Sequence, residues 1–306
     1  MDSGYDGTPY VERVWDGLKS LGLALGGGSL RGAAHIGVLQ VLEENGIRPQ
    51  YMAGTSSGSL VAACYAAGVS PDELEKVALR LTRRDYLDFN WQGMARYLLG
   101  LVTGRPVLPA GFLKGNRLER LVYELTRGKR LQDVEMPLAI VAADLNSGKK
   151  VVFTNQNIEE EGTATLTVRD ALLSEAVRAS TCIPVVFVPR RLGVMQLVDG
   201  GLREIVPVHE LKTMGADYIL GVDLQAGKFN KPVKDFHEII SRSIDIMIQE
   251  TSQLDEQLFA DLVIFPDVSN LGLGDLSGIP ECIRAGRIAM KKHMARVKAA
   301  LGRGIQ

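Results

Sequence analysis

The sequence predicts an α/β protein with three layers, in which helices cover both faces of a mainly parallel central sheet. Short apolar runs alternate with helical patterns along the chain, and this alternation is typical of parallel strands joined by helices. Runs such as Leu21–Leu25 and 137–143 are apolar at nearly every position, as expected of strands buried on both faces. The chain has 306 residues, of which 46% are hydrophobic and 23% charged, so it can enclose a large core.

We expect a polar leader over residues 1–20 and one domain over residues 21–306. The leader lacks the basic start and apolar run of a signal peptide, and the chain has no uninterrupted apolar stretch of about 18 residues. Cys64, Cys182 and Cys282 are isolated, so we interpret them as buried free thiols in a reducing compartment. The predicted location is therefore the cytoplasm. A net charge of −1 provides no field that would attract nucleic acid.

The first predicted strand, Leu21–Leu25, ends on three glycines, Gly26 to Gly28. A helical pattern follows, and Gly46 ends it in the manner of a helix C-cap. A glycine turn of this kind can also cradle a phosphate. However, Arg31 stands where a dinucleotide-binding fingerprint has its third glycine, and no Gly-Lys-Ser or Gly-Lys-Thr follows. The sequence therefore supports neither nucleotide-binding motif.

The second predicted strand, about Tyr51–Ala53, leads directly into Gly54-Thr55-Ser56-Ser57-Gly58 and another helix. A serine in such a turn has a strained backbone and an exposed hydroxyl, and its neighbours must be small because strand and helix pass close by. The helix N-terminus behind the serine favours negative charge. The motif alone is weak, since glycine and serine are common in turns.

The glycine turn and the serine turn are expected side by side. They follow neighbouring parallel strands, whose carboxyl ends meet at one edge of a sheet. The backbone N–H groups of Gly27, Gly28 and Ser29 would then bind an oxyanion that forms next to Ser56. The two turns together favour an acyl-transfer site over ordinary loops.

Further elements follow in order along the chain. A helix begins at Ser70-Pro71-Asp72-Glu73, where an N-cap, a proline and two acids coincide, and runs to about Arg83. The other predicted helices cover 118–126, 168–179 and 236–259, and the other strands cover 137–143, 151–154, 196–198, 219–222 and 262–265. Residues 183–189 contain two prolines and are predicted as an extended segment at a sheet edge.

Two segments have more than one interpretation. Residues 86–114 are apolar but repeatedly interrupted by glycine and proline, so they form either a helix and loop packed on the core or a cap over a lipid-binding cleft. A helix over about 280–303 has an apolar stripe beside a basic face that carries no acidic residue after Glu281. We favour packing of this stripe on the domain; the alternative is reversible contact with an anionic membrane.

A serine nucleophile needs a base, and the sequence offers two candidates. Of the four histidines, His209 is the best placed, because it follows a short extended stretch, whereas His35 lies inside a helix and is interpreted as structural. Asp199 ends a short strand, and Gly200 and Gly201 after it would leave its carboxylate uncrowded. Asp-Gly is also a common turn pair. Spacing alone leaves a catalytic role and a turn-forming role for Asp199 equally open.

Blocks of sequence around these candidates resemble the bacterial patatin-like phospholipases. The blocks are Gly27-Gly28-Ser29-Leu30-Arg31-Gly32, Ala34-His35-Ile36-Gly37-Val38-Leu39, Gly54-Thr55-Ser56-Ser57-Gly58, Ala179-Ser180-Thr181-Cys182-Ile183-Pro184 and Asp199-Gly200-Gly201. They occur in the family's order over roughly residues 21–202. The sequence departs from the family at Ser29, where a third glycine is usual, although a serine N–H can still donate.

The resemblance implies a patatin-like fold and a two-residue dyad in which Asp199 takes the proton of Ser56 directly. It also implies an oxyanion hole near the glycine turn. The supporting residues would be Arg31, Gly54, Gly58, Gly200 and Gly201. An arginine is unfavourable near a helix N-terminus, so we expect Arg31 mainly to fix the glycine loop.

The resulting hypothesis is a serine acyl hydrolase that cleaves fatty-acyl esters of lipids or phospholipids. No cofactor or metal is predicted, since no clustered metal-ligand spacing occurs. One alternative is a Ser–His–Asp carboxylesterase of the α/β-hydrolase type that uses His209. The other is a non-catalytic lipid-binding or regulatory protein on the same fold, which the presence of both Ser56 and Asp199 disfavours.

Overall fold

The computed structural model describes residues 19–158, 164–224, 254–268 and 275–302, together with Pro232 and Ile239. Nearly all of the predicted leader and most of the predicted 236–259 helix lie outside these residues. Nine strands are present in the described part: β1 (Leu21–Leu25), β2 (Tyr51–Thr55), β3 (Leu138–Asp144), β4 (Lys150–Thr154), β5 (Thr165–Val168), β6 (Arg190–Leu192), β7 (Met195–Asp199), β8 (Tyr218–Val222) and β9 (Leu262–Ile264).

The labelled helices alternate with these strands, as the sequence predicted. They are α1 (Ala34–Glu44), α2 (Ser57–Ala66), α3 (Pro71–Arg80), α4 (Arg83–Tyr86), α5 (Trp91–Val102), α6 (Asn116–Leu125), α7 (Leu173–Ser180), α8 (Val208–Thr213) and α9 (Ile279–Ala300). Residues 254–259 are also helical. The predicted start of α3 is confirmed, because Ser70 and Glu73 form a reciprocal capping box there.

All nine described strands belong to one sheet. Seven of them follow the order β5-β4-β3-β2-β1-β8-β9; in addition, β7 pairs with β3, and β6 pairs with β7. β1, β2, β3, β8 and β9 are mutually parallel along the sheet, whereas β4 and β7 are antiparallel to β3. Leu23 and Leu25 join an apolar cluster with α1, α2 and α9, and Ala24 joins a second cluster with α8. The predicted mainly parallel sheet with flanking helices is therefore confirmed.

The apolar stripe of α9 packs against α1. Ile283, Met290 and Met294 are buried in the core. Two glycines allow the close crossing: a Cβ at Gly37 would lie 2.0 Å from the Ile283 carbonyl oxygen, and a Cβ at Gly286 would lie 1.9 Å from that of Ala34. The stripe thus follows the packing interpretation and is not available to a membrane. None of the helices in the described residues is both long and apolar enough to cross a bilayer.

Two local predictions are wrong. Residues 165–168 form strand β5 beside β4, and the helix predicted from Val168 begins only at Leu173, because the alternating Thr-Leu-Thr-Val segment suits a sheet edge. In the segment 183–189, which was predicted as extended, residues 184–186 instead form a turn closed by the Phe187 N–H donating to the Ile183 carbonyl at 2.9 Å, and the extended pairing is limited to Phe187 and Val188 beside Leu113.

Residues 86–114 form an excursion between α4 and α6. Its two ends are joined, since the Asn90 N–H donates to the Phe112 carbonyl at 2.7 Å and the Lys114 N–H donates to the Asp88 carbonyl at 2.8 Å. Between these ends lies α5, of which only Gly100 is buried. The helix is therefore not packed into the core, in contrast to one of the two interpretations from the sequence.

Candidate active site

Two strands bring the candidate serine and aspartate together by meeting end to end. β2 runs parallel to β3, and its last residue, Thr55, pairs with Val141. β7 runs antiparallel to β3, and its last residue, Asp199, pairs with Ala142. Since β4 occupies the other edge of β3, β2 and β7 share one edge and approach each other with their carboxyl ends. Ser56 follows Thr55 directly and so reaches Asp199 at this junction.

The backbone of Ser56 is strained and firmly held. Its φ of +52° and ψ of −125° lie in a region that residues with a side chain rarely adopt. The Ser56 N–H donates to the Ser180 hydroxyl at 2.9 Å, and the Ser56 carbonyl accepts from the Ser59 hydroxyl at 2.6 Å. Ser56 also directly precedes α2, so the positive end of that helix lies beside it. This is the strand-to-helix turn that the sequence predicted.

The side chains of Ser56 and Asp199 are in contact and nearly buried, with 6% and 7% of each residue exposed. The Ser56 hydroxyl lies close enough to the Asp199 carboxylate to influence its pKa. The Gly201 N–H donates a hydrogen bond to Asp199 Oδ1 at 2.8 Å. Burial raises the pKa of Asp199 to about 6, although the Ser56 hydroxyl and the Gly201 N–H oppose this change. A carboxylate with this pKa can both accept and return a proton near neutral pH.

The predicted supporting glycines lie where backbones pass too closely for a side chain. A Cβ at Gly58 would lie 2.0 Å from the Leu25 carbonyl oxygen, and one at Gly54 would lie 2.6 Å from that of Gly58. A Cβ at Gly200 would lie 2.1 Å from the Val141 carbonyl oxygen. These contacts hold α2 against β1 and β2, and the turn after Asp199 against β3.

The glycine turn after β1 lies beside Ser56, as predicted, but its donors differ. A Cβ at Gly27 would lie 3.1 Å from the Cβ of Ser56. The Gly27 N–H donates to the Ile205 carbonyl at 3.1 Å, so it is not available to bind an oxyanion, contrary to the prediction. The Gly28 N–H makes no hydrogen bond to the residues that the structure describes. Ser29 has a φ of +54°, a conformation that glycine adopts without steric cost. This explains why a glycine is usual at this position in the family that the sequence resembles.

An apolar cavity of about 110 Å³ begins beside the serine turn. Ser29 and Ser57 line its polar end. Its apolar walls come from α2, α3, α6 and the first turn after β1, and include Leu30, Leu60, Val77, Ala78, Leu121 and Leu125. A cavity of this size and lining suits a few methylene groups, because engineered apolar cavities of roughly 150 Å³ bind small hydrocarbons.

Ser180 is a residue of the site to which the sequence assigned no role. Its hydroxyl accepts from the Ser56 N–H and donates to the Val141 carbonyl at 2.6 Å. It therefore ties the strained serine turn to β3 just before the position that pairs with Asp199. Ser180 lies in one of the blocks that resemble the family, but its contacts depend on long-range packing that no local pattern indicates.

We expect Ser180→Ala to lower the free energy of unfolding by about 1–3 kcal/mol, because it leaves the Ser56 N–H buried without a partner and removes a hydrogen bond to the Val141 carbonyl. Ester hydrolysis should fall as well, since the serine turn loses its anchor. Ser174→Ala is the matched control: this serine lies on the same helix and is buried, and its hydroxyl has no hydrogen-bond partner in the described residues. Thermal unfolding and ester hydrolysis of both variants would check this; equal behaviour of the two would contradict it.

His35, His209 and Arg31 make contacts outside the candidate dyad. His35 is fully buried, and its Nε2 lies 2.7 Å from the Gly26 carbonyl oxygen. Burial lowers the pKa of His35 to about 4, so the ring is neutral and stabilises the glycine turn. His209 Nδ1 lies 3.8 Å from Glu210 Oε1, and its ring packs edge-on against Phe259. Arg31 lies in the short 3-10 turn before α1, close enough to Cys282 to influence the pKa of that thiol.

Sequence comparison finds relatives whose names refer to the NTE family. It is 29% identical over 233 residues to an uncharacterised NTE family protein of Mycobacterium tuberculosis, covering 76% of this chain and 56% of that protein. It is 28% identical over 206 residues to Lysophospholipase NTE1 of Debaryomyces hansenii, covering 67% of this chain and 12% of that protein. The chain thus spans about half the length of the mycobacterial relative.

Among solved structures, VipD from Legionella pneumophila matches with a TM-score of 0.50 and 13% identity, over 92% of this chain and 67% of that chain. Human GIVD cytosolic phospholipase A2 also matches with a TM-score of 0.50 and 13% identity, over 94% of this chain and 60% of that chain. At such identities the likeness concerns the fold alone.

The sequence profile described as patatin-like phospholipase matches residues 23–212, from β1 into α8. This match includes both turns of the candidate site, the Ser180 helix and the Asp199 turn, and it covers more than half of the chain. The chain therefore belongs to the patatin-like phospholipase family.

Proposed function

We propose that the protein is a serine acyl hydrolase that cleaves fatty-acyl esters of lipids with Ser56 as nucleophile and Asp199 as base. The observation that carries the proposal is the meeting of β2 and β7 at one edge of β3, which brings a strained Ser56 next to a nearly buried Asp199 carboxylate. A buried carboxylate beside a strained serine needs no histidine between them to accept the proton.

In the first half of the reaction, the Ser56 oxygen attacks the ester carbonyl carbon while its proton passes to Asp199. The negative charge that forms on the carbonyl oxygen is stabilised by the Gly28 N–H and by the N-terminus of α2. The tetrahedral intermediate then releases the alcohol, which takes the proton from Asp199 as the ester carbon–oxygen bond breaks. An acyl-serine remains.

In the second half, Asp199 accepts a proton from water as the water oxygen attacks the acyl carbon. The intermediate collapses to a free carboxylic acid, and the proton on Asp199 returns to the Ser56 oxygen. Both halves use one carboxylate that alternates between base and acid, for which a pKa of about 6 is suitable. Burial of the site limits competition from bulk water for these hydrogen bonds.

We propose that the cavity beside Ser57 holds the part of the acyl chain nearest the ester carbonyl. It begins one residue after the nucleophile, on the side of the glycine turn, and its walls are almost wholly apolar. The family and the yeast relative named a lysophospholipase support a lipid ester as substrate. The cavity adds a feature of this chain, since only a short length of hydrocarbon fits inside it.

Filling this cavity should change the preference for acyl-chain length. Ala78→Leu adds three carbon atoms to the cavity wall, so we expect the ratio of activity on p-nitrophenyl butyrate to activity on p-nitrophenyl acetate to fall about tenfold, because the acetyl group has no methylene group to enter the cavity. Ala295→Leu, which makes the same change at an exposed position of α9, is the control and should keep the wild-type ratio. An unchanged ratio in Ala78→Leu would place the acyl chain elsewhere.

The function itself is tested by a hydrolysis panel of phospholipids, lysophospholipids and simple fatty-acyl esters with the purified protein. We expect release of free fatty acid from at least one lipid ester, without added metal or cofactor. A protein that binds these lipids but releases no fatty acid from any of them would support the non-catalytic alternative.

A further inference from the structure

Exposed apolar side chains are concentrated on one segment, which we name the α5 surface and define as residues 89–112. Its exposed large apolar residues are Phe89, Trp91, Leu98, Leu99, Leu101, Val102, Val107, Leu108 and Phe112. The least exposed of them is 50% accessible, and Val102 reaches 85%. Single exposed apolar residues are ordinary, but a contiguous group of this size on a protein surface marks a contact site for a partner or a membrane.

Most of the surface of α5 is not packed against the rest of the described residues. Asn90 caps α5, its Oδ1 accepting from the Gly93 N–H at 3.1 Å, and only Gly100 is buried among its twelve residues. Its outer faces carry tryptophan and leucine where a solvated helix would carry charges. A helix so apolar on most of its surface needs another apolar phase against it.

The charges within the α5 surface have one sign, since the charged residues between positions 89 and 112 are Arg96 and Arg105. Acidic residues flank the segment: the Asp88 carboxylate accepts from the Gly115 and Asn116 N–H groups, and Glu119 pairs with Arg190. Basic side chains next to tryptophan and leucine are typical of segments that lie in the interface of an anionic bilayer, where each basic residue near the surface contributes about 1 kcal/mol. This charge pattern selects an anionic lipid surface as the occupant over a neutral apolar partner.

The α5 surface is anchored next to the candidate active site. At its end, the Leu113 N–H donates to the Val186 carbonyl at 2.8 Å, and the Val188 N–H donates to the Leu113 carbonyl at 2.8 Å. The turn that contains Val186 follows Cys182, whose carbonyl accepts from the Asp199 N–H at 2.8 Å. A membrane that binds α5 would therefore lie close to the edge of the sheet where Ser56 and Asp199 meet.

We propose that the α5 surface binds the interface of anionic phospholipid bilayers and brings the active-site edge of the sheet to the lipid. The apolar side chains of α5 and of the following loop enter the interface, and Arg96 and Arg105 contact the lipid phosphates. This role belongs to α5, whereas the apolar stripe of α9, the other candidate from the sequence, is buried against α1.

The test is sedimentation of the full chain with vesicles made of equal parts of phosphatidylcholine and phosphatidylglycerol. We expect binding that weakens when salt is raised and when the vesicles contain phosphatidylcholine alone. A variant with Leu98, Val102 and Leu108 changed to Gln should bind about tenfold or more weakly, because three apolar side chains no longer enter the interface. Arg96→Gln with Arg105→Gln should lose most of the preference for anionic vesicles.

Matched controls make the test specific to this surface. A variant with Leu145, Val194 and Ile288 changed to Gln replaces three apolar residues that are also at least half exposed, and it should bind like the wild type. The same is expected of Lys291→Gln with Lys292→Gln on α9. The variants of the α5 surface should still hydrolyse a soluble short-chain ester, so loss of membrane binding is distinguishable from failure of the proposed catalysis.

Trp91 also provides a direct reporter. The chain has two tryptophans, so in the Trp15→Phe variant the fluorescence arises from Trp91 alone and should shift to the blue and be quenched by brominated lipid. Wild-type binding by the Leu98, Val102 and Leu108 variant would overturn the proposal. So would sedimentation showing that this surface joins two copies of the chain without binding vesicles.

Discussion

Replacement of Ser56 by alanine is expected to reduce lipid-ester hydrolysis by about 10⁴-fold or more, because no acyl-serine can form without the hydroxyl. The substitution removes one buried oxygen and keeps the backbone contacts of Ser56 with Ser180 and Ser59, so the protein should still fold. Thermal unfolding of the variant would check that point. The rate of fatty-acid release from the best lipid substrate is the measurement.

Ser57 provides the closest control for this variant. It is adjacent in sequence, and its hydroxyl is buried without a hydrogen-bond partner in the described residues. Ser57→Ala should therefore keep hydrolysis within about twofold of the wild type, since only an unpartnered hydroxyl is lost. If Ser56→Ala kept full activity while Ser57→Ala lost it, the nucleophile would be the neighbouring serine.

Asp199→Asn is expected to lower hydrolysis by about 10³-fold, within the range found for loss of a general base. The amide keeps the shape of the carboxylate and can still contact Gly201, but it cannot accept the serine proton. In the wild type, kcat/KM should fall as the pH is lowered, with a midpoint near pH 6. Below the raised pKa of Asp199 the carboxyl group is protonated and cannot accept the serine proton. The pH–rate profile on a soluble ester measures this.

His209→Ala separates the dyad from a Ser–His–Asp mechanism. His209 contacts Glu210 and Phe259, so the variant should keep hydrolysis near the wild-type level. Loss of activity in His209→Ala together with a mild effect of Asp199→Asn would support the histidine mechanism instead.

The parts of the site that the sequence predicted are those defined by short-range patterns. The apolar run Leu21–Leu25 is a strand with the predicted bounds, and the glycines around Ser56 indicate a strand-to-helix turn because only small residues fit there. Burial on both faces produces continuous apolar runs, and these remain visible in any single sequence.

The parts that were not predicted depend on direction and on long-range pairing. Nothing in the Met195–Asp199 segment shows that β7 runs antiparallel to β3, yet this direction is what brings Asp199 to Ser56. The same applies to Gly27, whose N–H is taken by Ile205, a residue far away in the chain. Ser180 also acts through contacts with Ser56 and with Val141 of β3 that its own helix does not indicate.

The sequence did not distinguish which of the two apolar helices, α5 or α9, is buried, and the reason is again long-range packing. Both helices have apolar residues at helical spacing, and the spacing does not say which helix finds a neighbour. Gly37 and Gly286 let α1 and α9 approach closely and cover the stripe of α9. α5 contains Gly93 and Gly100 and has only one buried residue. The difference therefore arises from packing between distant segments.

Covalent trapping of the nucleophile tests the central claim most directly. The protein would be treated with a fluorophosphonate that carries an acyl-like chain, digested, and mapped by mass spectrometry. The account predicts one phosphonylated residue, Ser56, with labelling slowed strongly in Asp199→Asn and absent in Ser56→Ala. A label on Ser57 or another residue, or labelling of Ser56 that is as fast in Asp199→Asn as in the wild type, would contradict it.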